Sequence, residues 1–234
     1  MKFGITACIP GSGWYYGAEF PGGRQEPSPL FYPWHEREER VINSILYGVI
    51  TGMAYRRQLR EISCRYRVPQ RTVAVNPEEL AARGVTVLVL DFDGVLAPHG
   101  ATEPLPEVVE WLHRCAAILG EERLFILSNR PDPLRADYFR REFPGVSFIS
   151  GVKKKPYPDG LQRIMELSGA APEQVMLLDD RLLTGVLAAC LAGTGIIYIT
   201  APYVSLAKHP VMESFFMLLR FAERRVIALA GLLA

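Results

Sequence analysis

The spacing of hydrophobic and polar residues becomes regular from about residue 77 onward. Short apolar runs predict buried strands, and segments whose apolar residues recur every three or four positions predict helices. The predicted strands are Val85–Leu90, Leu124–Leu127, Val146–Ile149, Val175–Leu178 and Gly195–Ile199. The predicted helices alternate with them and span residues 77–83, 107–119, 132–143, 158–169 and 182–191. This alternation predicts an α/β fold: a Rossmann-like parallel sheet flanked by helices, with right-handed crossovers.

Two flanking zones follow other patterns. Residues 1–34 are rich in Gly, Pro and aromatic residues, a composition that favours irregular coil. Residues 35–66 predict a helix, because the apolar residues from Ile42 to Val49 fall on one helix face. We therefore divide the chain into an N-terminal coil and helical extension (1–76), an α/β domain (77–205) and a C-terminal helical segment (206–234).

The two apolar segments in these flanks, Val41–Tyr55 and Met212–Ala234, are not predicted to cross a membrane. A span needs about 18 or more apolar residues, whereas the first segment is short and the second is interrupted by Glu213, Arg220 and further charges. Such helices can pack on the domain, form a dimer interface or lie on a bilayer surface. Peripheral membrane contact is therefore one hypothesis, and the oligomeric state stays undetermined.

Composition narrows the class of protein further. The formal net charge of the 234 residues is +1, which argues against a nucleic-acid partner. The four cysteines, Cys8, Cys64, Cys115 and Cys190, are scattered and form no CxxC pair. They predict ordinary thiols in a reducing cytoplasm rather than disulfides or a zinc site.

Polar residues that can take part in catalysis or ligand binding follow each of the first four predicted strands. Ligands bind parallel α/β sheets at the carboxyl ends of the strands, so these residues should converge. In chain order they are Asp91, Asp93 and Gly94; Ser128 and Asn129; Lys153, Lys154 and Lys155; and Asp179 and Asp180.

This set of residue types suits phosphoryl transfer with Mg²⁺. A carboxylate such as Asp91 can attack phosphorus and form an acyl phosphate. Carboxylates from two strands can share Mg²⁺, which prefers oxygen ligands and offsets the charge repulsion. Lysine and hydroxyl groups can hold the phosphate oxygens, and Asp93 can protonate the leaving group.

Each residue also has a plainer interpretation. Ser128 and Asn129 favour turns, the lysine run can be a solvated loop, and Asp179 or Asp180 can cap a helix. His99 follows Asp93 closely enough to line the site, but a single histidine without partners defines no ligand set, so an ordinary surface loop residue is the preferred interpretation.

Four segments in this order resemble the haloacid dehalogenase superfamily: Val87–Leu96 (VLVLDFDGVL), Phe125–Asn129 (FILSN), Lys155-Pro156 and Met176–Asp180 (MLLDD). The resemblance implies a phosphatase of that fold. It implies that Asp91 is the nucleophile and that Asp93 is the general acid/base. It also implies a Mg²⁺ site formed by Asp91, by Asp93 through its backbone carbonyl, and by Asp180. Ser128 and Lys155 would bind phosphate, and we add Asn129 as a further phosphate-binding candidate.

A narrower stretch resembles the phosphatase branch that lacks a cap domain and includes phosphatidylglycerophosphate phosphatases. Two positions depart from the pattern of that branch: Asp179 stands where Gly is typical, and Gly185 stands where a later Asp is typical. Two interpretations follow. In one, Asp179 supplies the missing carboxylate and is a further candidate metal ligand; in the other, the carboxylate is absent and the affinity for the metal is weaker than in that branch.

The spacing of the segments leaves no room for a folded cap domain. Asp91 and Ser128 are 37 positions apart, and Ser128 and Lys155 are 27 apart. We therefore predict an open site and a Mg²⁺-dependent phosphomonoesterase, with a phosphatidylglycerophosphate or another large or lipid-linked phosphate as substrate. The alternatives are a sugar or nucleotide phosphatase, or a degenerate domain that serves as a binding scaffold.

Overall fold

A computed structural model describes residues 34–66, 68–130 and 132–232. Its centre is a five-stranded, fully parallel sheet in the order β3-β2-β1-β4-β5. The strands are β1 (Val87–Leu90), β2 (Leu124–Ile126), β3 (Ser147–Phe148), β4 (Val175–Asp179) and β5 (Gly195–Tyr198). The predicted α/β class and all five predicted strands are confirmed. The N-terminal coil proposed for residues 1–34, and Cys8 within it, fall almost wholly outside the described residues.

The central strand explains why three strands end at one level. All four residues of β1 are fully buried, as expected for an apolar strand covered on both faces. Leu90, its last residue, lies opposite Ile126 of β2 and Leu178 of β4. The residues that follow these strands therefore meet at one edge of the sheet.

Eight α-helices surround the sheet within the described ranges. They are α1 (Trp34–Ala54), α2 (Arg56–Arg65), α3 (Pro77–Ala82), α4 (Pro106–Leu119), α5 (Pro133–Glu142), α6 (Asp159–Ser168), α7 (Leu187–Ala192) and α8 (Pro210–Ala230). The single helix predicted over 35–66 is divided at Tyr55 into α1 and α2. The helix predicted over 182–191 begins as a π-helical turn, Leu182–Val186, before α7.

Local sequence signals account for several helix ends. Asn76 caps α3, because its Oδ1 accepts a hydrogen bond from the Glu78 backbone N–H at 2.9 Å. Helix α5 begins in the same way, with Asp132 Oδ1 accepting from the Leu134 N–H at 2.9 Å. These caps place α3 and α5 where the sequence predicts them.

Buried apolar residues form a cluster on each face of the sheet, and a third cluster attaches the flanking helices. The third cluster joins Leu59 of α2 and Ile227 of α8 to Leu182, Leu187 and Tyr198 of the α/β domain. The chain between β1 and β2 holds α4, and the chain between β2 and β3 holds α5, so neither segment is an inserted cap domain. Through the third cluster, the flanking helices α2 and α8 pack on the domain.

Helices α1 and α8 nevertheless leave many apolar side chains in solvent. On α1 these are Ile45, Leu46, Val49, Ile50 and Met53, and on α8 they include Val211, Phe215, Leu218, Phe221 and Leu229. Within the described residues, no helix has both the length and the apolar character needed to cross a membrane. Cys64, Cys115 and Cys190 are free thiols, in agreement with the prediction for those three residues.

Candidate active site

Asp91 lies directly after β1, at the centre of the edge where β1, β2 and β4 end. Its backbone N–H donates to the Leu178 carbonyl at 3.0 Å, which extends the pairing with β4 by one residue. Its carboxylate Oδ1 lies 2.9 Å from the Nζ of Lys155. The same Nζ lies 2.5 Å from Oδ2 of Asp179, so one buried ammonium joins two carboxylates.

Three carboxylates are gathered around this point. One oxygen from each of Asp91, Asp179 and Asp180 lies within 4.8 Å of the others, and all three residues are buried. Burial raises the pKa of Asp91 to about 7, Lys155 opposes that rise, and Asp179 and Asp180 add to it. Burial likewise raises the pKa of Asp180 to about 6. Burial alone would lower the pKa of Lys155, but Asp179 and Asp91 outweigh it and raise that pKa.

The donor set fits Mg²⁺. Buried carboxylate oxygens in close proximity are the hard ligands that this ion prefers. Burial first, and the neighbouring carboxylates after it, raise the pKa values of Asp91 and Asp180, and a bound cation would offset both effects. Asp91 and Asp180 would hold the ion, with Asp179 as the third carboxylate of the group. The predicted Asp179 candidate therefore belongs to the cluster, whereas the Asp93 carboxylate does not.

The Asp93 side chain has a different partner. Arg135 of α5 donates to both of its oxygens, from Nη2 to Oδ1 at 2.7 Å and from Nη1 to Oδ2 at 3.0 Å. The guanidinium is itself buried, lies 3.9 Å from the centre of the Phe92 ring and donates from Nε to the Ala101 carbonyl at 2.9 Å. Arg135 therefore fixes the orientation of Asp93, and no sequence motif indicated this role.

Gly94 allows the loop after Asp93 to approach the carboxylate group. Its φ of 82° is in the left-handed region, which favours glycine. A Cβ at this position would lie 2.5 Å from Oδ2 of Asp180 and 2.8 Å from Nη2 of Arg220. Any larger residue would push these two side chains away.

Ser128 and Asn129 follow β2, but they have different environments. The Asn129 side-chain amide donates from Nδ2 to the Lys155 carbonyl at 2.9 Å, and its Oδ1 accepts from the Lys155 N–H at 2.7 Å. Asn129 thus braces the backbone of Lys155. Ser128 Oγ accepts from the Arg130 N–H at 3.2 Å, which is a turn-type contact. Phosphate binding by Ser128 and by Asn129 stays a prediction.

The three consecutive lysines are also distinguished by the structure. Lys155 is buried between Asp91 and Asp179, whereas Lys153 and Lys154 are exposed. Lys153 forms an ion pair with Asp159, the first residue of α6, at 3.5 Å. Lys155 is thus the lysine that lies beside Asp91, and its contact with phosphate stays a prediction. The plainer interpretation as solvated charge fits Lys153.

Helix α8 contributes a group of residues that sequence reasoning missed. Its charged side chains Glu213, Arg220 and Glu223 are buried against the rim of the site. Glu223 accepts from Arg181 Nε at 3.0 Å and from the Leu182 N–H at 3.1 Å, and Arg220 Nε donates to Asp180 Oδ2 at 2.5 Å. The spacing of these charges along the segment, seven and three residues apart, was the available signal, because it places them on one helix face.

The interpretation of His99 as a surface residue is wrong. His99 is buried, its ring stacks on Phe216 of α8 at 3.9 Å between ring centres, and its backbone N–H donates to Glu213 Oε1 at 3.0 Å. Its partner lies 114 positions away, so no local pattern could indicate the contact. The predicted absence of a cap domain holds, but α8 covers one side of the rim, which is less open than expected.

Comparison with known protein families assigns the chain to a class. Residues 31–193 match the family model of haloacid dehalogenase-like hydrolases. This match spans more than half of the 234 residues, so the molecule is a hydrolase by class. The chain belongs to the haloacid dehalogenase-like hydrolase family.

Solved structures similar to part of the chain include two hydrolases. One is a haloacid dehalogenase-like family protein from Streptococcus pneumoniae, with 14% identity, a TM-score of 0.39 and coverage of 58% of this chain and 99% of the other. Another is a HAD-superfamily hydrolase from Ehrlichia chaffeensis, with 13% identity, a TM-score of 0.35 and coverage of 58% and 98%. An uncharacterized protein from Corynebacterium glutamicum has 22% identity, a TM-score of 0.39 and coverage of 58% and 97%. The search of curated proteins found no match.

Proposed function

We propose that this hydrolase is a Mg²⁺-dependent phosphomonoesterase that uses Asp91 as its nucleophile. The observation that carries the proposal is the position of the Asp91 carboxylate, 2.9 Å from a buried lysine and within 4.8 Å of two further carboxylates. A carboxylate next to a fixed cation can meet an anionic phosphate without prohibitive repulsion. Asp180 and Asp91 would hold Mg²⁺, which lowers the repulsion between nucleophile and substrate when bound.

The proposed reaction has two steps, in which Asp91 forms and then loses a bond to phosphorus and Asp93 gives and then regains a proton. In the first, an Asp91 carboxylate oxygen bonds to phosphorus, the bond to the ester oxygen breaks, and Asp93 transfers its proton to the leaving oxygen. In the second, Asp93 takes a proton from water, the water oxygen attacks phosphorus, and the acyl phosphate bond breaks to release phosphate. Arg135 orients Asp93 for both transfers, and Lys155 holds charge on the phosphoryl oxygens.

Hydrolysis of p-nitrophenyl phosphate with Mg²⁺ tests this proposal. Asp91→Asn should lower turnover by about 1,000-fold or more, since it removes the attacking carboxylate. Asp137→Asn is the matched control, because Asp137 is a half-exposed carboxylate on α5 in a surface ion pair with Arg140, and it should leave turnover unchanged. If the wild-type enzyme hydrolyses no member of a panel of aryl, sugar, nucleotide and lipid phosphates, the chain is a binding scaffold instead.

For the substrate, we propose a lipid-linked phosphate such as phosphatidylglycerophosphate, presented at a membrane surface on the cytoplasmic side. The support is the placement of the two exposed apolar helices beside the site. Tyr47 of α1 stacks on Tyr157, two residues after Lys155, at 4.3 Å between ring centres. Helix α8 contacts Asp180 through Arg220. An apolar surface next to the reacting groups would bring a lipid headgroup to Asp91.

The reversed polarity of α8 supports the same substrate class. This helix buries Glu213, Arg220 and Glu223 and exposes Phe215, Leu218 and Phe221 at 58%, 66% and 55%. A helix at a water-facing surface normally shows the opposite arrangement. Exposed apolar residues in such a stripe favour contact with an apolar partner, here the acyl boundary of a bilayer.

Liposome flotation tests the membrane contact. Full-length protein should float with vesicles that contain an anionic phospholipid, and the variant Phe215→Ser/Leu218→Ser/Phe221→Ser should not. Glu166→Gln, an exposed charge change on α6, is the control and should float. A sugar or nucleotide phosphatase is the outcome if neither protein floats and soluble phosphates are turned over faster than the lipid phosphate in detergent.

A further inference from the structure

Arg220 has an incomplete set of hydrogen bonds in a buried position. Its side chain is 4% exposed, and its Nε donates to Asp180 Oδ2 at 2.5 Å. The remaining nitrogens, Nη1 and Nη2, are buried and have no hydrogen-bond partner within the described part of the chain. A guanidinium carries five N–H donors in a fixed fork, so the outer part of this fork is unpaired.

Such an arrangement is costly unless a ligand completes it. Buried donors without partners cost free energy, and the cost is larger for a charged group. Nη2 lies against the loop that follows the nucleophile, because a Cβ placed on Gly94 would be 2.8 Å from it. Nη2 therefore lies beside the loop that carries Asp91 and Asp93, and Nε of the same guanidinium contacts Asp180 of the carboxylate group.

The neighbouring charges of α8 show that the incompleteness is specific to Arg220. Glu213 accepts from the backbone N–H groups of His99 and Ser205 at 3.0 and 3.2 Å and contacts the His99 ring at 3.1 Å. Glu223 contacts Arg181 and the Leu182 N–H. These two glutamates lie seven residues before and three residues after Arg220, so they fix the helix on both sides of it.

We propose that Arg220 binds the phosphoryl group of the substrate, with Nη1 and Nη2 donating to its oxygens while Nε stays on Asp180. This inference rests on the proposed phosphatase function and deepens it. A planar guanidinium matches the oxygens of a phosphate with two parallel N–H donors, which a lysine cannot do. Helix α8 then supplies a second cation to the anion site, in addition to Lys155 from the loop after β3.

Isothermal titration of the full chain with inorganic phosphate, in the presence of Mg²⁺, tests this role by binding rather than turnover. Arg220→Gln should weaken phosphate binding by about tenfold or more, because it removes the positive charge and the parallel N–H donors of the guanidinium. Arg220→Lys should weaken it less, since the charge remains and the fork is lost. Arg225→Gln is the matched control, because Arg225 is an exposed arginine on the same helix, and its affinity should equal that of wild type.

Titration with Mg²⁺ alone separates this role from two others. The proposal predicts that Arg220→Gln binds Mg²⁺ at least as well as wild type while phosphate binding falls. If Arg220→Gln binds both Mg²⁺ and phosphate more tightly, Arg220 competes with the metal and the proposal is overturned. If its melting temperature falls while phosphate affinity is unchanged, Arg220 is only a structural partner of Asp180, which also overturns the proposal.

The same titrations distinguish this inference from the proposed function. The inference alone is refuted if the wild-type protein binds and hydrolyses phosphate esters and the Arg220→Gln variant has the same affinity for phosphate. Wild-type protein that binds phosphate through Arg220 but hydrolyses no ester refutes the proposed catalysis alone. Wild-type protein that neither binds phosphate nor hydrolyses any phosphate ester refutes both.

Discussion

The carboxylate of Asp179 fills the space that a side chain at Gly185 would need. A Cβ built on Gly185 would lie 1.9 Å from Cγ and 2.0 Å from Oδ2 of Asp179. Positions 179 and 185, at which the sequence departs from the motif pattern described above, are therefore in direct contact. With the Asp179 carboxylate in this place, position 185 has no room for a side chain.

Gly185→Ala should therefore destabilise the protein by about 2 kcal/mol, because the new methyl group overlaps a buried carboxylate that is held by Lys155. Asp179→Gly alone should weaken Mg²⁺ binding, since one carboxylate of the cluster is lost. The exchange Asp179→Gly/Gly185→Asp should recover part of that affinity. Urea unfolding and Mg²⁺ titration check these outcomes, and a double variant no better than Asp179→Gly would contradict the exchange.

The raised pKa values of the site predict a pH dependence of stability without metal. The pKa of Asp91 is raised from its ordinary value of 3.8 to about 7 in the folded protein. Between these two pH values, Asp91 is protonated in the folded protein and ionised in the unfolded chain. Stability is then full below the ordinary carboxyl pKa and is lost as pH rises through about 7. The metal-free melting temperature should fall between about pH 5 and pH 8, and Asp180, with its pKa raised to about 6, adds to the fall.

Mg²⁺ should reverse this fall, since it binds the ionised carboxylates. The increase in melting temperature on Mg²⁺ addition should be larger at about pH 8 than at about pH 5. In Asp91→Asn without metal, the fall with pH should be smaller. Differential scanning fluorimetry with chelator or with Mg²⁺ measures both, and an equal Mg²⁺ effect at the two pH values would argue against this site.

The Arg135–Asp93 pair should matter for both stability and proton transfer. Arg135→Met leaves a partly buried carboxylate without its two hydrogen bonds and should destabilise the protein by about 3 kcal/mol. Turnover of an alkyl phosphate should fall more than turnover of p-nitrophenyl phosphate, because a poor leaving group depends more on the proton from Asp93.

Arg140→Met is the control for this change. Arg140 lies on the same helix, its side chain is 58% exposed and it pairs with Asp137 at the surface. Its substitution should change the unfolding free energy by less than about 0.5 kcal/mol. Equal losses on alkyl and aryl phosphates in Arg135→Met would show that Arg135 does not act through Asp93.

Helix α1 should depend on Gly48 for its attachment. A Cβ at Gly48 would lie 2.9 Å from the backbone carbonyl oxygen of Leu183 and 3.3 Å from Cγ of Pro156. Gly48→Leu should therefore displace α1 from the loop that holds Lys155, lower the melting temperature by about 3 °C and speed proteolytic cleavage within residues 34–54. Asn43→Ala, at an exposed position of the same helix, should change neither measurement.

Much of the fold followed from local patterns. The strand ending at Leu90, the Asn76 cap and the order of strands and helices were all predictable, because buried parallel strands are continuously apolar and helix caps are short-range. The candidate residues after the strands were also predictable, because parallel strands bring their carboxyl ends to one edge of the sheet. Asp91, Lys155 and Asp180 meet there.

The contacts made by α8 could only be learned from the tertiary structure. Arg220 lies 40 positions from Asp180, and Glu213 lies 114 from His99. The spacing of the charges places them on one helix face, but it does not indicate that this face is the buried one. Hydrophobicity would have placed Phe215 and Leu218 inside and the charges outside. The opposite holds because the buried charges pair with groups at the rim of the site, and that compensation exists only once the chain has folded. The amino-acid sequence thus determined the sheet and the residues at its edge, whereas the packing of a distant helix decided which charges complete the site.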